Sequence, residues 1–293
     1  MEEDLVAELR GGGTVTYAEH GDPGGRPLVF CHGWPSSRKQ GLLCHAEAER
    51  LGWRVLTPDR PGIGGTPYQP GRRLGDWPVF VGEFLEALGI GGQFSMLGVS
   101  GGAPYVYAAA HAMPDRLVAA GVMSGAVPLG MFPSWREMIL PYRALLFARR
   151  RSPRLLALGM RLGQRAAFWP RDHPGMRLLF RFIPAQDRCA VGDNLVHECV
   201  MGSYRLAVAN GPAPLITDAD IYLDPWDFRL EDVRVPIHFW HGECDRNIPV
   251  TMAREVERRL PVTLPRFFTH EGHYSLPASH IGQLLEAMES KPV

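Results

Sequence analysis

The sequence predicts an α/β protein built on an open, mostly parallel, doubly wound sheet, with a helical lid inserted between two late strands. Three observations carry this. Short unbroken apolar runs such as Pro27–Cys31 and Pro236–Trp240 alternate with helical patterns at short spacing, as strands buried on both faces of a parallel sheet do. The stretch Gln93–Ala103 runs strand-like residues into Gly98-Val99-Ser100-Gly101-Gly102 and then at once into an Ala/Tyr-rich helical pattern reaching Met113. From about 127 to 228 the alternation stops, and prolines punctuate several helical stretches without a convincing strand.

Taken in order, residues 5–20 alternate weakly around Gly11-Gly12-Gly13, which predicts a hairpin of antiparallel edge strands. Pro27–Cys31 is a buried strand ending in His32-Gly33-Trp34-Pro35, after which Ser36 or Ser37 caps a helix through about Leu51. Arg54–Pro58 is the next strand and leads into Asp59-Arg60-Pro61-Gly62-Ile63-Gly64-Gly65-Thr66. Asp76 reads as the N-cap of a helix to Leu88 that Gly89 stops. The serine turn follows, then a strand over Leu117–Ser124. Helices are expected over 135–149, 153–168, 174–182 and 191–209. The alternation resumes with Ile237–Trp240, a helix over Val250–Leu260, a strand over Pro265–Thr269 and a terminal helix over 277–289. The expected organisation is a core of residues 1–126 and 229–293, with 127–228 as the lid.

Composition sets bounds on function. At 293 residues the chain can bury a large core. Its formal net charge of zero gives no overall electrostatic case for nucleic acid or an anionic membrane. No apolar run approaches the roughly 20 residues that span a bilayer. The start, Met1-Glu2-Glu3-Asp4, is acidic and lacks the layout of a signal peptide, and five scattered cysteines read as reduced thiols. The expected location is therefore the cytoplasm. Cys31-His32 and Cys44-His45 match no usual zinc spacing and read as buried thiols.

A Gly-x-Ser-x-Gly match arises by chance in roughly one such sequence in seven, so the surroundings of Ser100 have to decide its meaning. A serine hydroxyl is a weak nucleophile and needs a base, which in turn needs an orienting carboxylate. Both should lie just past the carboxyl ends of strands. Asp245 follows the Ile237–Trp240 strand, with Glu243 as its alternative. His273 follows the Pro265–Thr269 strand, with His270 as its alternative. The chain order Ser100…Asp245…His273 is one of the few in which this triad occurs. An oxyanion would be held by the Gly101 N–H and by a second N–H from the loop after Pro27–Cys31, best placed at Trp34. Ser124-Gly125 also ends a strand but lacks the upstream glycine and reads as structural. His32 reads as ordering the oxyanion loop through hydrogen bonds and His241 as a turn histidine. Arg149-Arg150-Arg151 reads as solvated surface, with attraction of a carboxylate or a lipid headgroup as the alternative. Gly62-Ile63-Gly64 is no dinucleotide fingerprint, because Pro67 stands where the third glycine belongs, and the loop is expected to shape the sheet edge.

On His32-Gly33-Trp34-Pro35, Asp59-Arg60-Pro61-Gly62-Ile63-Gly64, Gly98-Val99-Ser100-Gly101-Gly102, His241-Gly242 with Asp245, and Gly272-His273, the chain resembles the α/β-hydrolase superfamily. The resemblance favours His273 over His270, because the family places a Gly-His pair there. It implies hydrolysis of a small-molecule carboxylic ester through an acyl-enzyme, without metal or organic cofactor. Apolar stretches of the lid, such as Met138-Ile139-Leu140 and Leu145-Leu146-Phe147, read first as helix faces packed on the core and in part as the lining of a pocket for an apolar acyl or aryl group. Family members that open epoxides or displace halide carry a carboxylate at the elbow, which Ser100 replaces. The same triad serves hydrolysis of C–C bonds next to a ketone, of lactones, and of amides or iminopeptides, as well as perhydrolysis. A ligand receptor on the same fold is the reading outside enzymes. The lid residues would choose among these, and they carry no motif. Oligomeric state is left open.

Overall fold

The structure, a computed structural model, describes residues 2–289, so Met1 and residues 290–293 of the predicted core lie outside it. Eight strands form one sheet: β1 (Glu2–Glu8), β2 (Thr14–Gly21), β3 (Arg26–Cys31), β4 (Trp53–Pro58), β5 (Phe94–Val99), β6 (Leu117–Met123), β7 (Ile237–Gly242) and β8 (Thr263–Phe268). Their order is β1-β2-β4-β3-β5-β6-β7-β8. The β1–β2 hairpin is antiparallel and joins β4 antiparallel, and every pair from β4–β3 to β7–β8 is parallel.

The period-2 alternation of strand side chains explains the unbroken apolar runs, since each face meets helices. Leu28, Phe30, Leu97 and Val99 point to one face and pack with Leu276, Leu284 and Leu285 of α11 (Ser275–Glu289), which shares that face with α1 (His45–Leu51). Val29, Cys31 and Met96 point to the other, against α2 (Trp77–Ala87), α3 (Ala103–Ala112) and α10 (Val250–Arg259). Between β6 and β7 lie α4 (Leu140–Arg151), α5 (Pro153–Ala166), α6 (Pro174–Phe180), α7 (Ala185–Ala190), α8 (Asn194–Val208) and α9 (Ala213–Leu223). Ile63 of the β4 loop is fully buried among α5, α8 and α9, and Asn210 donates to the carbonyls of Gly62 and Gly64. The Gly62-Ile63-Gly64 loop, expected to shape the sheet edge, is where the helical insertion docks.

Several expectations need correction. Neither Ser36 nor Ser37 caps a long helix: a 3-10 segment (Arg38–Cys44) precedes α1, and the Asp59 carboxylate takes the Arg38 N–H at 2.7 Å. Asp76 does not cap α2 with its side chain but reaches back to the Arg73 N–H at 2.7 Å. The helix expected from 135 begins at Leu140, because Pro141 fits a first turn and would break an interior one. The 191–209 segment starts at Asn194, where Asp193 Oδ1 accepts from Leu195 N and Val196 N at 2.8 and 3.1 Å. Helices α7 and α9 were not expected at all.

Candidate active site

The turn after β5 puts Ser100 in the left-handed region, at φ 54°. The price of that conformation is of order 1–2 kcal/mol for a residue with a Cβ, so the surroundings must hold it. The room comes from glycines: a Cβ on Gly102 would run into the Cys31 carbonyl, and one on Gly101 would stand 2.8 Å from Trp34 Cβ and 2.9 Å from Trp34 N. The Gly101 and Trp34 backbones therefore lie side by side. Gly101 sits in the first turn of a short helix (Ser100–Gly102), where no intrahelical acceptor exists for its N–H. The Trp34 N–H takes no backbone partner among the described residues.

His273 and Asp245 converge on Ser100. His273 Nε2 lies 2.9 Å from Ser100 Oγ, and its Nδ1 lies 2.7 Å from Asp245 Oδ2. Asp245 is buried, and its other oxygen accepts from Asn247 N at 2.8 Å and Ile248 N at 2.9 Å. Burial opposes a charge on His273, but the Asp245 carboxylate beside it, with Asp187 beyond, outweighs this and lifts its pKa above the ordinary 6.5. The rivals lie elsewhere: His270 is exposed, and Glu243 pairs with Arg254 at 2.6 Å. Ser124 is buried at φ 49°. His241 donates Nε2–H to the Ile248 carbonyl at 2.9 Å, and burial holds its pKa down. The serine, imidazole and carboxylate thus form one chain of hydrogen bonds able to move a proton off Ser100.

Behind this chain stands a set of buried polar residues, of which Asp187, Asp218 and Tyr222 carried no sequence signal. Arg60, 1% exposed, donates to the His32 carbonyl and, at 2.7 Å, to the Gly33 carbonyl, fixing the two peptides that precede the Trp34 N–H. Its guanidinium is held by Asp218 of α9, at 3.0 Å from Nε, and Asp218 also pairs with Arg72 and accepts from the Tyr105 hydroxyl at 3.0 Å. Tyr222, one turn on, donates to the Gly101 carbonyl at 2.9 Å. His32 accepts the Arg60 N–H through Nε2 at 3.3 Å, so it orders this loop as expected. From α7, the buried Asp187 accepts three backbone N–H groups: His273 at 3.0 Å, Tyr274 at 2.8 Å and Ser275 at 2.9 Å. One carboxylate from the insertion thereby caps α11 and holds the histidine's backbone.

Ser100, Trp34 and His273 open on a cavity of about 410 Å³ walled mainly by apolar side chains of the insertion, among them Leu145, Met160, Met176 and Val196. A second cavity, of about 40 Å³, reaches Ser100 and Gly101 from the side of Ala126, Leu129 and Ile248. A cleft of about 510 Å³ between Gly71–Leu74 and Asp220–Asp227 is larger but contains none of these residues.

A family model described as alpha/beta hydrolase fold matches residues 26–278. The chain is 33% identical over 131 residues to a non-heme chloroperoxidase from Streptomyces lividans, a match that covers 42% of this chain and 45% of that protein's length. Among solved structures it superposes on the enol-lactonase of Burkholderia xenovorans LB400 with a TM-score of 0.68 at 16% identity, covering 97% of this chain and 99% of that one. A thermophilic esterase from Thermogutta terrifontis gives 0.61 at 20% identity, covering 98% and 96%. At such identities these likenesses speak to the fold alone.

Proposed function

Because the chain belongs to the alpha/beta hydrolase fold family, we propose that it is a serine hydrolase that cleaves carboxylic esters through an acyl-enzyme on Ser100. The observation that carries this reading is the Ser100–His273–Asp245 chain of contacts at 2.9 and 2.7 Å. In the proposed cycle His273 Nε2 takes the Ser100 proton as Oγ attacks the ester carbonyl, and then returns it to the leaving alcohol. Asp245 keeps Nδ1 protonated and steadies the imidazolium. The N–H groups of Gly101 and Trp34 receive the tetrahedral oxyanion, each donor contributing about 2.7–4 kcal/mol in related chemistry. Water, deprotonated by His273, then releases the acid. No step calls for a metal or organic cofactor. The helices of residues 127–228 act as a lid, carrying the cavity wall and, through Asp187 and Asp218, supporting the base and the oxyanion loop.

The test is turnover of p-nitrophenyl esters from acetate to dodecanoate. Folded protein with no saturable turnover of any of them would sink the ester reading. The two cavities sharpen it. A volume of about 40 Å³ has room for a small group of a few atoms, whereas about 410 Å³ takes a long apolar chain. Esters with one short and one long apolar side, such as methyl decanoate or decyl acetate, should be cleaved at least tenfold faster than decyl decanoate, measured by acid release. Equal rates would mean the small cavity does not sort substrates.

The pH dependence has a definite sign. Only neutral His273 accepts the serine proton, so kcat/KM should rise with pH through its pKa, which lies above 6.5. A pH–rate profile with its acid limb centred below that value would contradict the assigned base.

Peracid formation is the second reading, favoured by the name of the Streptomyces lividans relative. Hydrogen peroxide in place of water at the acyl-enzyme would leave a peracid, detectable by peroxide- and acetate-dependent halogenation of a dye.

A further inference from the structure

The net charge of zero averages over a strong asymmetry. Residues 140–183 hold ten arginines against one acid, Asp172, a net +9. Among the described residues only Arg149 of these ten is in a salt bridge, with Asp220. The same segment is also unusually apolar on its outside. In α5, Leu155, Leu158 and Leu162 recur at helical spacing on one face and are exposed, Leu158 by 54% and Leu162 by 59%, while Leu156 and Met160 point inward. Arg154, Arg161 and Arg165 run along the border of that leucine stripe and are exposed too. On α4, which packs against α5 through Leu145 and Gly159, Phe147 is 69% exposed, and Phe168 just past α5 is 67% exposed. An apolar stripe edged with unpaired arginines is the layout of a helix that lies in a membrane interface.

We infer that the outer surface of α4–α6 docks on an anionic lipid surface, its leucines and phenylalanines entering the headgroup boundary and its arginines meeting lipid phosphates. Charge decides between occupants. A second copy on the same face would set one net +9 segment against another. A nucleic acid would engage the arginines but leave the leucine stripe in water. An anionic bilayer satisfies both, with each arginine near the surface strengthening binding about fivefold. The inner faces of α5 and α6, through Gly159, Gly163 and Met176, wall the 410 Å³ cavity. Docking therefore lays the wall of an apolar cavity against the phase in which apolar molecules collect.

The test is flotation with vesicles of phosphatidylcholine alone and of equal parts phosphatidylcholine and phosphatidylglycerol. Two variants run beside the wild type: Arg154→Glu/Arg161→Glu/Arg165→Glu and Leu155→Ser/Leu158→Ser/Leu162→Ser. None of these side chains faces the cavity, so both should melt as the wild type does. The expected result is wild-type binding to the anionic vesicles only, at least a hundredfold weaker in the arginine variant and at least tenfold weaker in the leucine variant. Binding should also fall steeply toward ~1 M salt, where the Debye length shrinks to about 3 Å. Equal binding to both vesicles overturns the inference, as does binding to neither. So does capture of duplex DNA without lipid binding, or a wild-type dimer that the leucine variant returns to monomer. Should either variant unfold, the wild-type salt series decides: binding indifferent to salt refutes it.

Discussion

Ser100→Ala is expected to lower kcat for ester hydrolysis by about 10⁴–10⁶, because nucleophile, base and acid act as a unit and the remainder comes from substrate binding and the oxyanion N–H groups. The fold should survive, since alanine tolerates φ 54° about as well as serine. Ser100→Gly separates strain from chemistry: it should be equally inactive yet at least as stable, because glycine adopts that conformation without a Cβ clash. Asp245→Asn should cost about 10⁴ in kcat by spoiling the tautomer of His273. Glu243→Gln, which breaks only a part-exposed pair with Arg254, should cost little. Stopped assays with p-nitrophenyl esters read all four. Near-wild-type turnover in Ser100→Ala would remove the nucleophile assignment, and a reversed order of the two acid variants would move the acid to Glu243.

These residues were legible in the sequence because each sits where local chemistry is constrained. A parallel strand buried on both faces leaves an unbroken apolar run, and the chain end beyond it carries the polar group, so Ser100, Asp245 and His273 could be read one strand at a time. Gly102 is forced by the Cys31 carbonyl and Gly101 by Trp34, which is why the turn has a sequence signature. The supports behind them have none. Helix α9 has prolines at its start, β-branched Ile216, Thr217 and Ile221, and Asp218 and Asp220 in its middle, a poor helix by propensity. It forms because Leu215 and Ala219 pack into the insertion's core and Asp218 finds two arginines that lie more than a hundred residues away in the chain. Asp187 is equally silent, since a carboxylate that caps a helix 86 residues downstream looks, locally, like any acid in a loop. Ser37 makes no side-chain cap bond, and a distant carboxylate, Asp59, instead holds the first N–H of the segment, that of Arg38.

Asp218→Asn should be the most destabilising single change in the support layer, by roughly 3–5 kcal/mol, because it leaves Arg60 and Arg72 buried with no carboxylate between them. For a chain of this size that is a fall in Tm of about 10 °C. The side chains involved are 0–4% exposed, so solvent cannot replace the lost partner. Asp220→Asn is the control two residues away on the same helix. Its pair with Arg149 is about one-third exposed, so its loss should cost under ~1 kcal/mol. Asp218→Asn should also reach the chemistry, since Arg60 holds the carbonyls of His32 and Gly33 ahead of the Trp34 N–H. With the variant still folded at low temperature, kcat should fall by tenfold or more while the acid limb of the pH profile stays in place, because His273 and Asp245 are untouched. A shifted acid limb with unchanged kcat would instead place the Asp218–Arg60 network on the base, and equal melting of the two variants would deny it any special part in stability.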